Sequence, residues 1–540
     1  GKTTFSARTA VVDALRASGD LLGEPKATQR KANFFEKGEK PLEIVTSRQW
    51  YIRNGGRDWE ARDLKSELLA RGDELEFHPD FMRVRYSNWV GGLNGDWLIS
   101  RQRFFGVPIP VWYPISSDGE PQWNSPLTPS EASLPIDPSS DVPAGYTADQ
   151  RGVPGGFVGD ADVMDTWATS SLTPQIAGGW LHDADLFERV FPMDVRPQGQ
   201  DIIRTWLFST VVRSHLEANA LPWKHAAISG WILDPDRKKM SKSKGNVVTP
   251  MDLLVEHGSD AVRYWAASAR LGTDAAFEVG QMKIGRRLAI KVLNASKFAL
   301  TAGGDGSSII LDPSAVTEPI DRALLAELAD VVDAATAAFE DFDHARALEV
   351  TESFFWTFCD DYLELVKDRA YGRGATQTDG TSIELSPEAI ASARASLALS
   401  LDVLLRLFAP FLPFATDEVW SWWRTGSVHA APWPTTGELR SAAGKAPQAG
   451  LVATAGATLS ALRKVKSEAK VSQRTPLLAV ELLATSEAAE LIATVQSDVR
   501  AAGKVTSPIA ISAGSPVTPE GENVQLLVAS FELGEVPPKA

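Results

Sequence analysis

The sequence predicts a chain of mixed fold class, with an α/β part first, an all-α part next and a small α/β domain at the end. In the first 250 residues, strand-like segments such as 225–233 alternate with glycine turns and helix starts. Residues 282–300 open a long helical region, and from Leu324 apolar residues recur mostly at spacings of three and four, the period of a helix that faces a core. After residue 451, helix-like and strand-like segments alternate again.

The length and composition indicate several well-packed domains. A chain of 540 residues is too long for one core, and roughly three to five domains are expected. A hydrophobic content of 44%, with 17 Trp and 22 Phe, is ample for their cores. The one cysteine, Cys359, follows an aromatic run and is expected to pack in a core. Because the sequence has a single cysteine, an internal disulfide and a cysteine-built zinc site are excluded. The scarcity of cysteine also favours a reducing, cytoplasmic location.

The charge and hydropathy restrict the partners. No apolar run is long enough to span a bilayer, so we expect no membrane partner. A formal net charge of −15 argues against indiscriminate nucleic-acid binding. It does not exclude a folded RNA that is held by local basic patches.

Several helices are predicted directly from the pattern. An amphipathic helix is expected near the start, ending at Gly19, and another over residues 387–408. Residues 434–450 have the composition of a linker. The next helix is basic, and we expect it either to contact RNA phosphates or to present a solvated face. Its cations are Arg463, Lys464, Lys466 and Lys470.

Residues 237–246, with the sequence RKKMSKSKGN, form the most basic stretch, with five cations in eight residues. Lys239 and Lys242 are three residues apart, so in a helical or tightly turned backbone they project to one side. Two ammonium groups aimed at one point can neutralise a triphosphate and the pyrophosphate that leaves from it. A solvated surface loop is the alternative for a basic run of this kind.

A second candidate site lies upstream. A short strand at 189–193 is expected to lead into a glycine turn at Gly199 and a helix that begins near Asp201. Loops that feed a helix at the carboxyl edge of a parallel sheet bind nucleotides in doubly wound folds. A simple helix cap is the alternative at this position.

Residues 239–243, KMSKS, are similar to the signature of class I aminoacyl-tRNA synthetases. The segment 96–110 resembles the one that follows the editing insertion in synthetases for branched aliphatic amino acids. Residues 165–167, 198–206 and 271–274 resemble the valyl group. The resemblance implies the second half of a Rossmann-like catalytic domain, an anticodon-binding helical bundle and a small C-terminal α/β domain.

The same resemblance implies roles for individual residues. The catalytic residues would be Lys239, Ser241 and Lys242, and ATP would bind Gly199, Asp201, Gly230 and Lys242. The amino-acid pocket would be walled by Trp167, Ile202 and Trp206, and no protein-bound metal is implied. The implied activity is ATP-dependent ligation of valine to tRNA(Val) through valyl-adenylate, with ATP and Mg²⁺ as cofactors. The partners would be valine, ATP and tRNA(Val), and the protein would be a monomer.

The domain boundaries that follow are expectations as well. Residues 1–48 would be the end of the editing insertion with its return strands, and 49–245 the catalytic domain, with a connective excursion at 114–160. The next two parts would be a stem-contact segment at 246–300 and the helical bundle at 301–435. Residues 436–540 would form the C-terminal domain.

The likeness to the family begins late. The chain starts at Gly1, and none of its seven histidines stands in a His-Ile-Gly-His type motif. We therefore expect a C-terminal portion of such an enzyme, without activity by itself. Isoleucyl activation, a non-catalytic tRNA-binding fragment and a scaffold without nucleic acid remain alternatives.

Overall fold

The structure, a computed structural model, describes residues 3–28, 34, 46–240, 245–302, 309–519 and 521–535. The chain divides into two compact units. The first consists of Gly1–Arg53 and Asp96–Asp165, and the second of Asn54–Gly95 and Thr166–Ala540.

The helices and strands are numbered in chain order. The helices are α1 Thr4–Ser18, α2 Leu64–Glu74, α3 Arg83–Gly91, α4 Thr166–Ser170, α5 Thr173–Ala177, α6 Ala184–Val190, α7 Phe208–Ala218, α8 Pro250–His257, α9 Ser259–Ala267, α10 Val279–Thr301, α11 Pro319–Glu340, α12 His344–Thr357, α13 Leu363–Ala370, α14 Pro387–Phe408, α15 Pro413–Ser421, α16 Gly437–Ala443, α17 Leu451–Glu468, α18 Ser486–Thr494 and α19 Gln496–Gly503. The strands are β1 Tyr51–Ile52, β2 Glu76–His78, β3 Trp97–Leu98, β4 Ser100–Arg101, β5 Trp112–Pro114, β6 Phe157–Gly159, β7 Val163–Met164, β8 Met193–Gly199, β9 Trp223–Ser229, β10 Ile232–Leu233, β11 Ala275–Ala276, β12 Leu477–Ala484, β13 Ala510–Ala513 and β14 Leu526–Leu533.

In the first unit, α1 forms where the sequence predicts it. The Thr3 side chain accepts a hydrogen bond from the Ser6 amide, and Gly19 ends the helix in the left-handed conformation. The predicted apolar face is not buried, however, since Val11 is 57% and Leu15 39% exposed. Amphipathic spacing therefore predicted the helix correctly but not its packing.

The rest of the first unit is built from three short antiparallel pairs: β1 with β3, β4 with β7, and β5 with β6. Ile109, Val111 and Tyr113 form its small core. The Trp50 indole donates to Asp160 Oδ2 at 2.8 Å and to the Tyr113 hydroxyl at 3.1 Å, which joins the two ends of the unit's sequence. The excursion between β5 and β6 holds only short 3₁₀ turns, as its composition predicts.

The second unit contains a parallel sheet with the strand order β2-β9-β8. Two predictions about its strands were wrong. The strand expected at 189–193 starts only at Met193, because α6 continues to Val190, and the strand expected at 225–233 is broken after Ser229. Pro197 is accommodated because β8 is an edge strand. Apolar residues of α2, α3 and α7 cover this sheet, among them Leu68, Tyr86 and Val211.

The helical part of the second unit matches the predicted spacing. Helix α14 spans the residues that the sequence indicates, with Ser386 as its cap. The linker prediction for 434–450 was wrong, since α16 lies there and buries Leu439 against the bundle. One core runs from α10 through the bundle to the sheet β13-β12-β14 and its helices. The mixed α/β and all-α fold class is confirmed.

Cys359 is 4% exposed within this core, and burial raises the pKa of its thiol to about 12. The structural role predicted for Cys359 is confirmed. In the part of the chain that the structure describes, no helix combines the length and apolar character needed to cross a membrane.

Candidate active site

The predicted nucleoside residues lie at one edge of the parallel sheet. Strands β8 and β9 run in register from the pair Met193 and Trp223 to the pair Gly199 and Ser229. Gly199 therefore ends β8 directly beside the residue that precedes Gly230. Because parallel strands end at the same edge, the two glycines that the sequence assigns to ATP are neighbours there.

The geometry at Gly199 places a carboxylate beside the glycine. A Cβ atom at this position would lie 2.8 Å from Oδ1 of Asp201, whose carboxylate turns back over the glycine. Asp201 is exposed and lies in the 3₁₀ turn Gln200–Ile202 that follows β8. A carboxylate beside bare backbone is suited to accept hydrogen bonds from ribose hydroxyls.

At Gly230, by contrast, a glycine is required. A Cβ atom there would lie 2.2 Å from the carbonyl oxygen of Thr273, so the loop before β11 presses on this position. The contact with Thr273 by itself requires glycine, and an adenine ring at Gly230 stays a prediction. Glycine at the end of β9 also interrupts the strand before β10 begins.

Asp274 fastens these loops together, a role that sequence reasoning missed. Its Oδ1 atom accepts hydrogen bonds from Gln200 Nε2 at 3.0 Å and from the Trp231 amide at 2.8 Å. One carboxylate thus joins the turn after β8 to the turn after β9. Its string, 271–274, was noted only as a likeness, because a contact 74 residues away has no local signal.

The basic segment leaves this edge through a tight hairpin. Strand β10 leads to Asp234, and Leu233 bridges to Lys239 in antiparallel fashion. Arg237 takes up a left-handed conformation, with φ of 60°, in the turn between them. The Lys239 ammonium lies 4.1 Å from the centroid of the Trp231 ring, so the aromatic face holds this cation beside Gly230. The predicted catalytic residues Ser241 and Lys242 lie outside the described residues.

Asp234 anchors the hairpin. It is 7% exposed and accepts hydrogen bonds from the Lys238 amide at 2.7 Å and from Asn246 Nδ2 at 2.8 Å. The hydrogen bond from Asn246, followed by that from Lys238, lowers the pKa of Asp234. The carboxylate therefore stays ionised and holds the beginning and the end of the basic segment.

The predicted pocket residues cluster around the helix start after β8. Ile202, half-buried, leads into a π-helical turn, Ile203–Leu207, that carries Trp206. Trp206 is 7% exposed, and its indole donates to the Ser170 carbonyl at 2.8 Å. Trp167, also half-buried, lies in α4, which contacts this turn. The π-turn is a feature often found at functional sites.

Trp206 is also fixed by its neighbours. The guanidinium of Arg196 lies 4.5 Å from its ring centroid, and the Trp223 ring lies 5.7 Å away. Much of the indole surface is therefore occupied by protein. Trp206 holds the shape of this region whether or not an amino acid binds against its remaining edge.

Comparison with known families indicates the class of protein to which a site of this kind belongs. The family described as tRNA synthetases class I (I, L, M and V) matches residues 26–278, and the family described as Anticodon-binding domain of tRNA ligase matches residues 321–482. A ternary complex of Agrobacterium radiobacter K84 LeuRS with tRNA and LeuAMS has a TM-score of 0.50 at 23% identity, and covers 64% of this chain and 43% of that chain. It supports the fold alone.

Two individual relatives indicate which group within this class of synthetases the chain matches. The Valine--tRNA ligase of Thermobifida fusca is 63% identical over 507 residues, which cover 94% of this chain and 55% of the relative. That of Bifidobacterium longum subsp. infantis is 57% identical over 557 residues, covering 100% of this chain and 60% of the relative. The chain belongs to the valyl group of the class I aminoacyl-tRNA synthetases. It spans between 55% and 60% of the length of these two relatives.

Proposed function

We propose that the chain supplies the nucleoside-binding edge and the pyrophosphate-binding loop of an enzyme that ligates valine to tRNA(Val). The observation that carries this proposal is the meeting of Gly199, Gly230 and the root of the basic hairpin at adjacent strand ends. A triphosphate whose nucleoside lies on the two glycines has its phosphates within reach of a loop that leaves from Trp231. The names of the relatives supply the substrate.

In the proposed reaction, a carboxylate oxygen of valine attacks the α-phosphorus of ATP, and the bond to the bridging oxygen of pyrophosphate breaks. A ribose hydroxyl of the terminal adenosine of tRNA then attacks the acyl carbon, and AMP leaves. Lys239 and Lys242 stabilise the charge that develops on the leaving pyrophosphate, and Ser241 shapes the loop. Gly199, Asp201 and Gly230 position the nucleoside, so that catalysis is mainly orientation and charge stabilisation.

Mg²⁺ enters with the nucleotide in this proposal. The ion keeps most of its water and binds chiefly through phosphate oxygens, so the protein needs to offer no dedicated cage. The exposed carboxylate of Asp201 and the cations of the basic segment fit a bound Mg·ATP. When bound, Mg²⁺ would neutralise part of the triphosphate charge.

Valine selection is assigned to Trp167, Ile202 and Trp206. A pocket held rigid by packed tryptophans excludes larger side chains sterically, whereas one missing methylene changes binding by only about 1–3 kcal/mol. The isoleucyl alternative draws no support from the relatives, which are named for valine. Comparing valine with isoleucine in adenylate formation distinguishes the two.

The test is valine-dependent pyrophosphate exchange by a full-length enzyme that contains this chain. Lys239→Ala and Lys242→Ala should each lower kcat about 100- to 1000-fold, the usual cost of losing one charge-stabilising group, and leave the KM for valine unchanged. The control is Lys224→Ala, an exposed cation on β9. Full exchange activity in both loop variants would overturn the proposed role of the basic segment.

The 540-residue chain by itself is proposed to be inactive in this exchange, because its sequence has no His-Ile-Gly-His type motif for the other side of the phosphates. We place the enzyme in the cytoplasm and propose that it is a monomer, which sedimentation equilibrium would test. If the chain were instead a non-catalytic tRNA-binding unit, its tRNA binding would weaken with added salt and would survive Lys242→Ala.

A further inference from the structure

Three potential metal ligands from β2 and β9 converge on one face of the parallel sheet. His78 Nε2 lies 3.1 Å from His225 Nδ1, and Glu76 Oε2 lies 3.2 Å from the same His225 atom. One ligand atom from each residue lies within 4.8 Å of the other two. Among the described residues, no other group of three His, Cys, Asp or Glu side chains meets this distance.

The strand register itself creates this cluster. Glu76 on β2 is the direct partner of His225 on β9. His78 lies two residues beyond Glu76, and residues two apart in a strand point to the same face. An imidazole and a carboxylate from one strand and an imidazole from the next therefore project together. The placement depends on the parallel pairing and not on side-chain rotamers alone.

Without a cation, one proton between the two imidazoles cannot serve all three facing atoms. If His225 Nδ1 carries it, it is donated to either His78 Nε2 or Glu76 Oε2. If His78 Nε2 carries it, it is donated to His225 Nδ1, and the contact between His225 Nδ1 and Glu76 Oε2 has no proton. A cation between the three atoms would satisfy all three lone pairs at once.

The surroundings are those of a ligand site with one open side. The Phe342 ring stacks on His78 with centroids 3.9 Å apart and an interplanar angle of 16°. Phe342 reaches this position from the turn between α11 and α12, where its φ is 59°. A groove of about 590 Å³ lies beside the cluster, and Glu76, His78 and Phe342 are part of its wall. Its charged lining also includes the carboxylates of Asp80, Asp341 and Asp343 and the cations Arg83 and Arg270. The groove therefore gives access to two of the three ligands and offers a further carboxylate, while the Phe342 ring limits water at His78.

We propose that Glu76, His78 and His225 bind a divalent transition metal ion of the zinc type. Two imidazoles with one carboxylate suit Zn²⁺, whereas Mg²⁺ and Ca²⁺ prefer sites made wholly of oxygen. A ring-nitrogen separation of 3.1 Å is close to that of two imidazoles on one tetrahedral Zn²⁺, at about 3.3 Å for Zn–N bonds of about 2.0–2.1 Å. Water or Asp341 would complete the coordination.

The site has a structural role, because it joins β2 to β9 beneath the turn that precedes α12. The three ligands come from β2 and β9, and none of them is a residue of the proposed nucleotide site. Metal binding should therefore stabilise the fold and not take part in the ligation.

The test is Zn²⁺ binding to the purified chain, measured by competition with a chromogenic chelator and by the visible absorption of a Co²⁺ complex. The expected result is one equivalent of metal and a higher melting temperature with Zn²⁺ than with EDTA. His78→Asn and His225→Asn should each weaken binding at least about tenfold. The Co²⁺ spectrum should lack a thiolate band, because Cys359 is the sole cysteine and is buried.

The controls separate metal binding from folding. His182→Asn removes an exposed histidine elsewhere and should bind Zn²⁺ like the unmodified chain. Glu76→Gln changes a side chain that is 59% exposed, so it should keep the fold, as circular dichroism would show, and still weaken binding. Equal Zn²⁺ affinity in His78→Asn, His225→Asn and the unmodified chain, or no metal-dependent rise in melting temperature, would overturn the proposal.

Discussion

The side-chain amide of Asn246 donates a hydrogen bond to Asp234 Oδ2 at 2.8 Å, and this bond closes the base of the basic hairpin. The other oxygen of Asp234 accepts the Lys238 amide at 2.7 Å. Asp234, three residues before the basic segment, therefore binds both Lys238 near its start and Asn246 at its end. In the proposed function this loop binds a triphosphate, and fixed ends would serve that role because misplaced cations lose much of their effect.

Removing this anchor should expose the basic segment. Asp234→Ala and Asn246→Ala should speed tryptic cleavage within 237–244 by roughly 5- to 30-fold, which corresponds to about 1–2 kcal/mol for the lost hydrogen bonds. Cleavage sites and rates can be measured by mass spectrometry on the purified chain. Asp236→Ala, which removes an exposed carboxylate from the same turn, is the matched control. Equal cleavage in all three variants would show that Asp234 does not hold the loop.

Asp274 should hold the loop after β8 and the loop after β9 together. Asp274→Ala removes the acceptor of the partly buried Gln200 Nε2 and of the exposed Trp231 amide, which water can still satisfy, and should destabilise the chain by about 1–2 kcal/mol. Asp274→Asn retains an oxygen that can accept both bonds and should cost less than about 1 kcal/mol. Urea unfolding followed by tryptophan fluorescence measures the difference. If the two variants are equally stable, the hydrogen bonds at Oδ1 do not hold the loops.

Local patterns predicted the elements whose signals are local. Helix α14 starts at a proline after a capping serine, so its start was evident from Ser386 and Pro387. The basic segment was recognisable because its cations are close together in sequence. Its partners were not: Asp234 holds Asn246 across 12 residues, and Asp274 holds Gln200 across 74.

The features that local patterns did not predict are determined by tertiary contacts. Residues 434–450 have a linker composition, yet α16 forms there because the bundle covers Leu439 and Ala442. The cluster of Glu76, His78 and His225 depends on a strand pairing between residues far apart in the chain, as the 147-residue separation of the two histidines shows. Sequence reasoning had no means to find the partners of His225, because no local pattern links β2 to β9.

Lys466 also corrects an expectation, and it predicts a pH effect. The predicted basic face of α17 is partly internal: Lys466 is 2% exposed and donates to the Gly503 carbonyl at 2.8 Å, while Arg463 pairs with Glu364 at 2.6 Å. Burial, followed by the nearby cations Lys504 and Arg463, lowers the pKa of Lys466 to about 8. Of the four cations predicted on this face, Lys464 and Lys470 are therefore the two that neither Gly503 nor Glu364 holds.

The lowered pKa of Lys466 determines the direction in which the stability of the chain changes with pH. Between pH 8 and the unfolded value of 10.5, the unfolded chain keeps the proton on Lys466 and the folded chain releases it, so this residue makes stability rise with pH. Lys466→Met should abolish this rise, whereas Lys464→Met, at an exposed position of the same helix, should retain it. The free energy of unfolding in urea, measured at about pH 8, 9 and 10, decides between these outcomes. Identical pH profiles for both variants would contradict the assignment.

Two arginines that contact α11 allow the stability contribution of buried ion pairs to be compared with that of exposed ones. Arg369 is 5% exposed and bonds to Asp321 of α11 at 2.8 Å and to Asp498 of α19 at 2.9 Å, so it links α11 to α19. Arg440 pairs with Asp330 and Asp333 of α11 at the surface, where half of its side chain is exposed.

Arg369→Met should destabilise the chain by about 3–5 kcal/mol, because it leaves two buried carboxylates without their cation. Asp321 would retain the hydroxyls of Tyr362 and Ser392 as donors, at 2.7 and 2.6 Å, but neither supplies a charge. Arg440→Met removes the same number of ion pairs and should cost at most about 1 kcal/mol, since exposed pairs are screened by solvent. Chemical unfolding of both variants measures the contrast. Equal losses of stability in the two variants would mean that the Arg369 cluster does not hold α11 to α19, and that the apolar core alone holds them together.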